Sequence, residues 1–135
     1  MGEKDPPIFV VDDDESVRKA LNRLLKACGF KVKTFGSAED FLDSGFVRHA
    51  GILILDVRMA GMSGLELQQR LSETGSDMPV IFITAHDDIQ ARTKAMEAGA
   101  VEFLQKPFEE QHLLDAIHCV FDRRPGGAIG LGTST

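Results

Sequence analysis

Short unbroken apolar runs that end on a polar residue recur along this chain, with helix-like spacing between them. Ile8-Phe9-Val10-Val11 stops at Asp12, Ile52-Leu53-Ile54-Leu55 at Asp56, and Val80-Ile81-Phe82-Ile83 at Thr84. A run of four apolar residues has no polar face, so it suits a strand covered on both sides. After the first run, Val17, Ala20, Leu21, Leu24, Leu25 and Cys28 recur at steps of three and four. That spacing draws one apolar stripe down a helix. Gly29 then stands where a left-handed helix end is wanted, with Phe30 after it to pack back.

The unit repeats. Lys31-Val32-Lys33-Thr34-Phe35 alternates polar and apolar, as an edge strand open on one side would, and its lysines discourage edge-to-edge pairing. Ser37 is placed to cap a short helix carrying Phe41 and Leu42. Gly61, Ser63 and Gly64 lead into a helix with Leu65, Leu67 and Leu71 that stops near Gly75. Pro79 opens the fourth strand, and a helix from Ile89 to Ala98 stops at Gly99. Val101, Phe103 and Leu104 belong to a fifth strand ending at Lys106-Pro107. A last helix carries Leu113, Leu114, Ile117, Val120 and Phe121. Strands each followed by a helix predict an α/β fold: one doubly wound, five-stranded parallel sheet with five helices on its two faces. The expected division is a leader over residues 1–7, one domain over 8–122, and a Gly-rich tail or linker stub over 123–135.

Composition excludes several alternatives. At 135 residues there is room for one domain. No apolar run approaches the roughly 18 residues needed to span a bilayer, and the N-terminus lacks a basic start followed by an apolar stretch. Cys28 and Cys119 have no metal-ligand spacing and cannot build a disulfide framework, so a reducing cytoplasm is the expected compartment. A net charge of −6 argues against nucleic acid as a direct partner, because phosphate backbones are bound through surplus Lys and Arg. No membrane partner is expected either.

The polar residues fall at strand ends. Asp12 and Asp13 follow strand one, Asp56 ends strand three, Thr84 strand four and Lys106 strand five. In an open parallel sheet these ends share one edge, and ligands bind there at the point where strand order reverses. If the strand order is 2-1-3-4-5, strands one and three are neighbours at that point, and Asp12, Asp13 and Asp56 would share one small site. Three clustered carboxylates repel unless protonated or neutralised by a cation. Oxygen ligands favour a hard ion, and magnesium characteristically takes one or two carboxylates plus phosphate oxygens. Lys106 adds an ammonium and Thr84 a hydroxyl. A carboxylate in that company suits a nucleophile that attacks a phosphoryl group.

Each residue also has a plainer reading. An Asp-Asp-Asp-Glu run is often a solvated helix N-terminus, and Asp14 is read as such a cap. Asp56 alone could be a turn residue, Thr84 a strand-end hydroxyl and Lys106 a solvent lysine. Their joint placement at successive strand ends favours a site.

The motifs Val10-Val11-Asp12-Asp13, Leu55-Asp56-Val57-Arg58-Met59, Ile83-Thr84-Ala85 and Gln105-Lys106-Pro107-Phe108 occur in an order that resembles the response-regulator receiver domain of two-component signalling. The resemblance runs from about Ile8 to Asp122. Ser37-Ala38-Glu39-Asp40-Phe41-Leu42, Gly61-Met62-Ser63-Gly64-Leu65-Glu66-Leu67 and Ala95-Met96-Glu97-Ala98-Gly99-Ala100 look like its FixJ-type branch. The resemblance implies that Asp56 accepts the phosphoryl group. It implies magnesium (or manganese) held by Asp13 and Asp56 with Asp12 assisting, and by the backbone carbonyl of Arg58. Lys106 and Thr84 would hold phosphoryl oxygens, and the Lys106-Pro107 bond would be cis. Arg58 and His86 occupy the positions that tune acyl-phosphate hydrolysis, and Thr84 and Phe103 those of the switch. Phosphorylation by a histidine kinase would then shift the surface of helix four, strand five and helix five, controlling a homodimer or a C-terminal output domain, as in transcription regulation. The same analogy gives the kinase-docking surface to the outer face of helix one, with Arg18, Asn22 and Lys26. Ala60 stands where the family commonly has proline, which leaves that loop less stiff.

Other functions compete. Asp12-Asp13-Asp14-Glu15-Ser16 fits the start of haloacid-dehalogenase-type phosphatases, with Asp12 as nucleophile and Asp14 as acid–base. That family's final acidic pair follows its lysine, whereas Asp87-Asp88 precedes Lys106, and little chain is left for a substrate cap. A nucleotide-binding flavodoxin needs a phosphate loop after strand one, where acids stand instead. A phosphate-independent interaction module would have no use for the complete set Asp12, Asp13, Asp56, Thr84 and Lys106. Labelling the acceptor discriminates among these readings.

Overall fold

The computed structural model describes residues 6–85 and 88–122. The apolar runs become β1 (Ile8–Val11), β3 (Ile52–Asp56) and β4 (Val80–Thr84), and every residue in them is buried. β2 (Val32–Phe35) and β5 (Glu102–Gln105) close the two edges. All neighbours pair in parallel, in the order β2-β1-β3-β4-β5. Helices α1 (Glu15–Ala27), α2 (Ala38–Asp43), α3 (Gly64–Glu73), α4 (Ile89–Glu97) and α5 (Glu110–Asp122) complete the alternation. The chain is therefore the doubly wound α/β fold that its pattern predicts.

Strand alternation divides the core in two. Phe9, Val11, Leu53, Leu55, Val80, Phe82 and Phe103 face α2, α3 and α4, meeting Phe41, Leu67, Leu71, Ala91 and Ala95. Ile8, Val10, Ile52, Ile54, Ile81, Ile83 and Leu104 face α1 and α5, meeting Leu21, Leu25, Leu113 and Ile117. Burying both faces of a central strand explains why its sequence has no polar alternation.

Local chemistry sets the helix ends. Ser37 Oγ accepts from Asp40 N at 3.0 Å and Asp14 Oδ1 from Ser16 N at 2.9 Å, each capping its helix. Ser63 and Glu66 form a reciprocal capping box at the start of α3. Gly29 takes φ +93°, and Phe30 N then donates to Leu25 O at 3.1 Å, closing α1 as expected.

Three details differ from the sequence pattern. The α1 stripe is narrower, because Ala20 and Cys28 are exposed while Leu21 and Leu25 carry the burial. Cys28 is the C-cap residue, beyond the last turn of α1, and Ala20 has too short a side chain to reach the core from the stripe's margin. Val101 precedes β5 rather than lying in it. An unforeseen 3-10 turn, Phe46–Arg48, sets Phe46 against Phe9 with ring centroids 5.0 Å apart. Residues 1–5 of the expected leader, the tail at 123–135, and His86 lie outside the described residues.

Candidate functional site

The site follows from register. Val11 pairs with Leu55, so the next positions, Asp12 and Asp56, are neighbours where β1 and β3 end. Thr84 pairs with Gln105, which brings Lys106 in beside the end of β4. Asp12, Asp56 and Lys106 continue the α1/α5 side of their strands. By the alternation of β4, Thr84 follows Phe82 on the α3/α4 side, the side on which Phe103 lies.

Asp12, Asp13 and Asp56 each offer a carboxylate oxygen within 4.8 Å of the others'. Asp12 is fully buried and Asp13 exposed, while Asp56 keeps a narrow opening at 7% exposure. Both carboxylate oxygens of Asp12 are engaged: Oδ1 accepts from Asp14 N at 2.9 Å, and Oδ2 from Lys106 Nζ at 3.0 Å. Lys106 Nζ stands farther from Asp56 Oδ2, at 4.0 Å. Lys106 N also donates to Thr84 O at 2.6 Å, and the Lys106–Pro107 peptide bond is cis.

Electrostatics follow from this crowding. The Asp56 carboxyl is pushed up to about 7, first by burial and then by the Asp12 carboxylate beside it. Lys106 and the Arg58 backbone N–H oppose that rise without cancelling it. A carboxylate cluster that resists ionisation is short of positive charge. Its donors are all oxygen, so these residues fit a hard divalent cation.

The loop after β3 wraps the site closely. Val57 N donates to Ile83 O of β4 at 3.3 Å, tying the loop to the sheet, and Gly64 N donates to Val57 O at 2.8 Å, closing the loop at its base. A Cβ on Gly64 would run into the Asp56 carbonyl oxygen. The loop's Ala60 N donates to Asp13 Oδ2 at 3.1 Å, a bond that proline at this position could not make. Arg58 pairs outward with Asp88, its guanidinium 2.8 Å from Oδ2. Asp88 also caps α4 through Ala91 N at 3.0 Å, and these two bonds, the amide's foremost, hold its carboxyl below the usual range.

The strand-end residues Asp12, Asp13, Asp56 and Lys106 are thus brought together, with Thr84 buried beside them and Phe103 one strand away. Phe103 is buried, 5.9 Å from the Phe82 ring, and the Arg92 guanidinium lies 5.1 Å over it. Sequence reasoning missed Glu39, whose carboxylate accepts from Met62 N at 3.0 Å. An acid in the first turn of a helix reads as a dipole partner, which hides that contact. It also set Arg18 on an outer helix face, whereas Arg18 Nη1 folds back to donate to the Asp12 carbonyl at 2.7 Å.

Comparison with known proteins places the chain in a family. The profile of the response regulator receiver domain matches residues 8–118. The response regulator protein TmoT of Ectopseudomonas mendocina is 45% identical over 125 residues, covering 93% of this chain and 57% of that protein. The transcriptional regulatory protein TdiR of Thauera aromatica is 50% identical over 111 residues, covering 82% of this chain and 49% of that protein. The chain spans about half the length of these curated relatives. Among solved structures, the crystal structure of FixJ-N superposes with a TM-score of 0.78 at 39% identity, over 96% of this chain and 98% of that one. By profile, sequence and fold together, the chain belongs to the response regulator receiver domain family.

Proposed function

We propose that this chain is a phosphorylation switch in which Asp56 accepts a phosphoryl group from a histidine kinase or a small acyl phosphate. The observation that carries this reading is the convergence of three carboxylates with one ammonium at the sheet edge. Asp12 and Asp13 would hold magnesium or manganese together with Asp56 and the Arg58 carbonyl. When bound, such an ion neutralises charge on the transferred oxygens.

The chain's own residues supply the rest. An Asp56 carboxylate oxygen attacks phosphorus in line, forming the acyl-phosphate P–O bond as the P–N bond to the donor imidazole breaks. The departing imidazole keeps the bonding pair and takes a proton from solvent. Lys106, 4.0 Å from Asp56, is near enough to turn its ammonium to a phosphoryl oxygen. Thr84 would donate its hydroxyl to another oxygen, and Phe103 would move into the space that this opens. The surface of α4, β5 and α5 then shifts as a change in population between two packings. A phosphoryl group favouring one packing about 100-fold biases it by about 3 kcal/mol.

The output in this reading is a homodimer formed through α4, β5 and α5, or control of a C-terminal output domain in transcription regulation. The name of TdiR, a transcriptional regulatory protein, supports the second. Arg58 and His86 would set the lifetime of the phosphorylated form. Cytoplasmic signalling fits, and among the described residues no helix is long and apolar enough to cross a membrane.

The phosphatase reading needs Asp12 as nucleophile. Asp12 is fully buried whereas Asp56 keeps an opening, so of the two carboxylates Asp56 is the one accessible to an incoming phosphorus, and Asp14 is committed to capping α1. The deciding experiment is sedimentation with and without beryllofluoride and magnesium. A shift to dimer that requires both reagents and Asp56 supports the switch with a homodimer output; no response from a folded chain refutes that output, and failure of Asp56 to take up label from a small acyl phosphate with magnesium refutes the switch itself.

A further inference from the structure

Between Asp56 and Gly64 the chain crosses the mouth of the site in a loop whose amides are held by carboxylates. Ala60 N donates to Asp13 Oδ2 at 3.1 Å, Met62 N to Glu39 Oε2 at 3.0 Å, and Ser63 N to Glu66 Oε1 at 2.8 Å. Asp13 belongs to the site and Glu66 to the α3 capping box. Glu39 belongs to neither. It stands in the first turn of α2 and reaches across 23 positions of sequence to the loop.

The contact is close as well as long-range. Between Ala60 and Met62 stands Gly61, in the left-handed region at φ +77°. A Cβ there would lie 2.9 Å from Glu39 Oε2, so the glutamate sits directly against the turn. Asp13 is exposed, and an exposed carboxylate samples several rotamers unless something holds it. The Ala60 amide does so while leaving the other Asp13 lone pairs free to meet a cation. That amide is only as well placed as its turn, and Glu39 ties the turn to α2 two residues further on.

We propose that Glu39 is a positioning residue for the metal site. It clamps the turn at 60–62 so that the Ala60 amide holds Asp13 in its ligating orientation before the cation arrives. This rests on the metal reading given above, deepens it, and assigns Glu39 no contact with the ion.

Magnesium titration by calorimetry into the full chain, Glu39→Ala and Glu39→Gln tests it. Glu39 is exposed, so neither variant threatens folding. The expected result is affinity weakened about three- to tenfold in Glu39→Ala, and within about twofold of the unaltered chain in Glu39→Gln, whose amide oxygen still accepts from Met62. Hydrogen exchange at the Ala60 and Met62 amides, measured without metal, should quicken in Glu39→Ala alone. Unchanged affinity in Glu39→Ala overturns the proposal. So does equal weakening in both variants, which would assign the effect to the charge of Glu39 rather than to its hydrogen bond. If the unaltered chain binds no magnesium, the metal reading itself fails and takes this proposal with it, an outcome distinct from the other two.

Discussion

Lys106 hydrogen-bonds Asp12 and pairs with Asp56 only at longer range: its ammonium lies 3.0 Å from the first carboxylate and 4.0 Å from the second. The ammonium thereby compensates the carboxylate with no access to water. Asp56, its neighbour, is left with burial and repulsion that Lys106 offsets only in part. An acceptor that is short of positive charge is suited to taking up a group that arrives with a cation.

Labelling should identify that acceptor. After treatment with a small acyl phosphate and magnesium, mass spectrometry should place the phosphoryl group on Asp56, and Asp56→Asn should abolish it. Label on Asp12, or undiminished label in Asp56→Asn, would contradict the assignment.

Stability should fall as pH rises. The Asp56 carboxyl titrates near 7 in the folded chain against an ordinary value of 3.8, so the folded state binds more protons between those values. Its contribution is fully present below about pH 4 and is lost as pH climbs through 7. In metal-free protein, Asp56→Asn should be more stable than the unaltered chain at pH 8, by about 1–2 kcal/mol once solvent screening is allowed for. The difference should vanish near pH 4. Urea denaturation across this range checks the sign, and an advantage that grows toward acid would be the wrong one.

Removing the ammonium should expose the cost of burying Asp12. Lys106→Ala leaves a fully buried carboxylate without its cation, and denaturation should show a loss of about 2–3 kcal/mol. Magnesium binding should survive, whereas sedimentation should show no dimer shift with beryllofluoride. A normal shift would exclude Lys106 from the coupling.

Gly64→Ala should be poorly tolerated although the change is one methyl group. The added carbon meets backbone, the Asp56 carbonyl, which cannot turn aside as a side chain would. A loss of at least ~2 kcal/mol is expected, together with slower labelling of Asp56. A variant as stable as the unaltered chain would show that the approach of α3 to β3 can relax.

Much of this architecture can be read from the one-dimensional pattern. Ile8–Val11, Ile52–Leu55 and Val80–Ile83 declare central strands because a parallel sheet buries both of its faces. Asp12, Asp56 and Lys106 can be grouped in advance because parallel strands deliver their C-terminal ends to one edge, and that rule needs no side-chain geometry. Ser37 and Asp14 cap their helices through bonds spanning two or three residues, which local chemistry dictates.

The contacts that tune the site are of another kind. Ala60 reaches Asp13 across 47 positions, Met62 reaches Glu39 across 23, and Lys106 reaches Asp12 across 94. Arg18 turns from the expected outer face of α1 to the Asp12 carbonyl. Periodicity and strand-end polarity belong to the text of the chain, because burial of a whole face leaves its mark on every second or fourth residue. Which amide meets which carboxylate is settled only when loops from separate βα units are pressed together, since a hydrogen bond depends on a few tenths of an ångström that no residue pattern encodes.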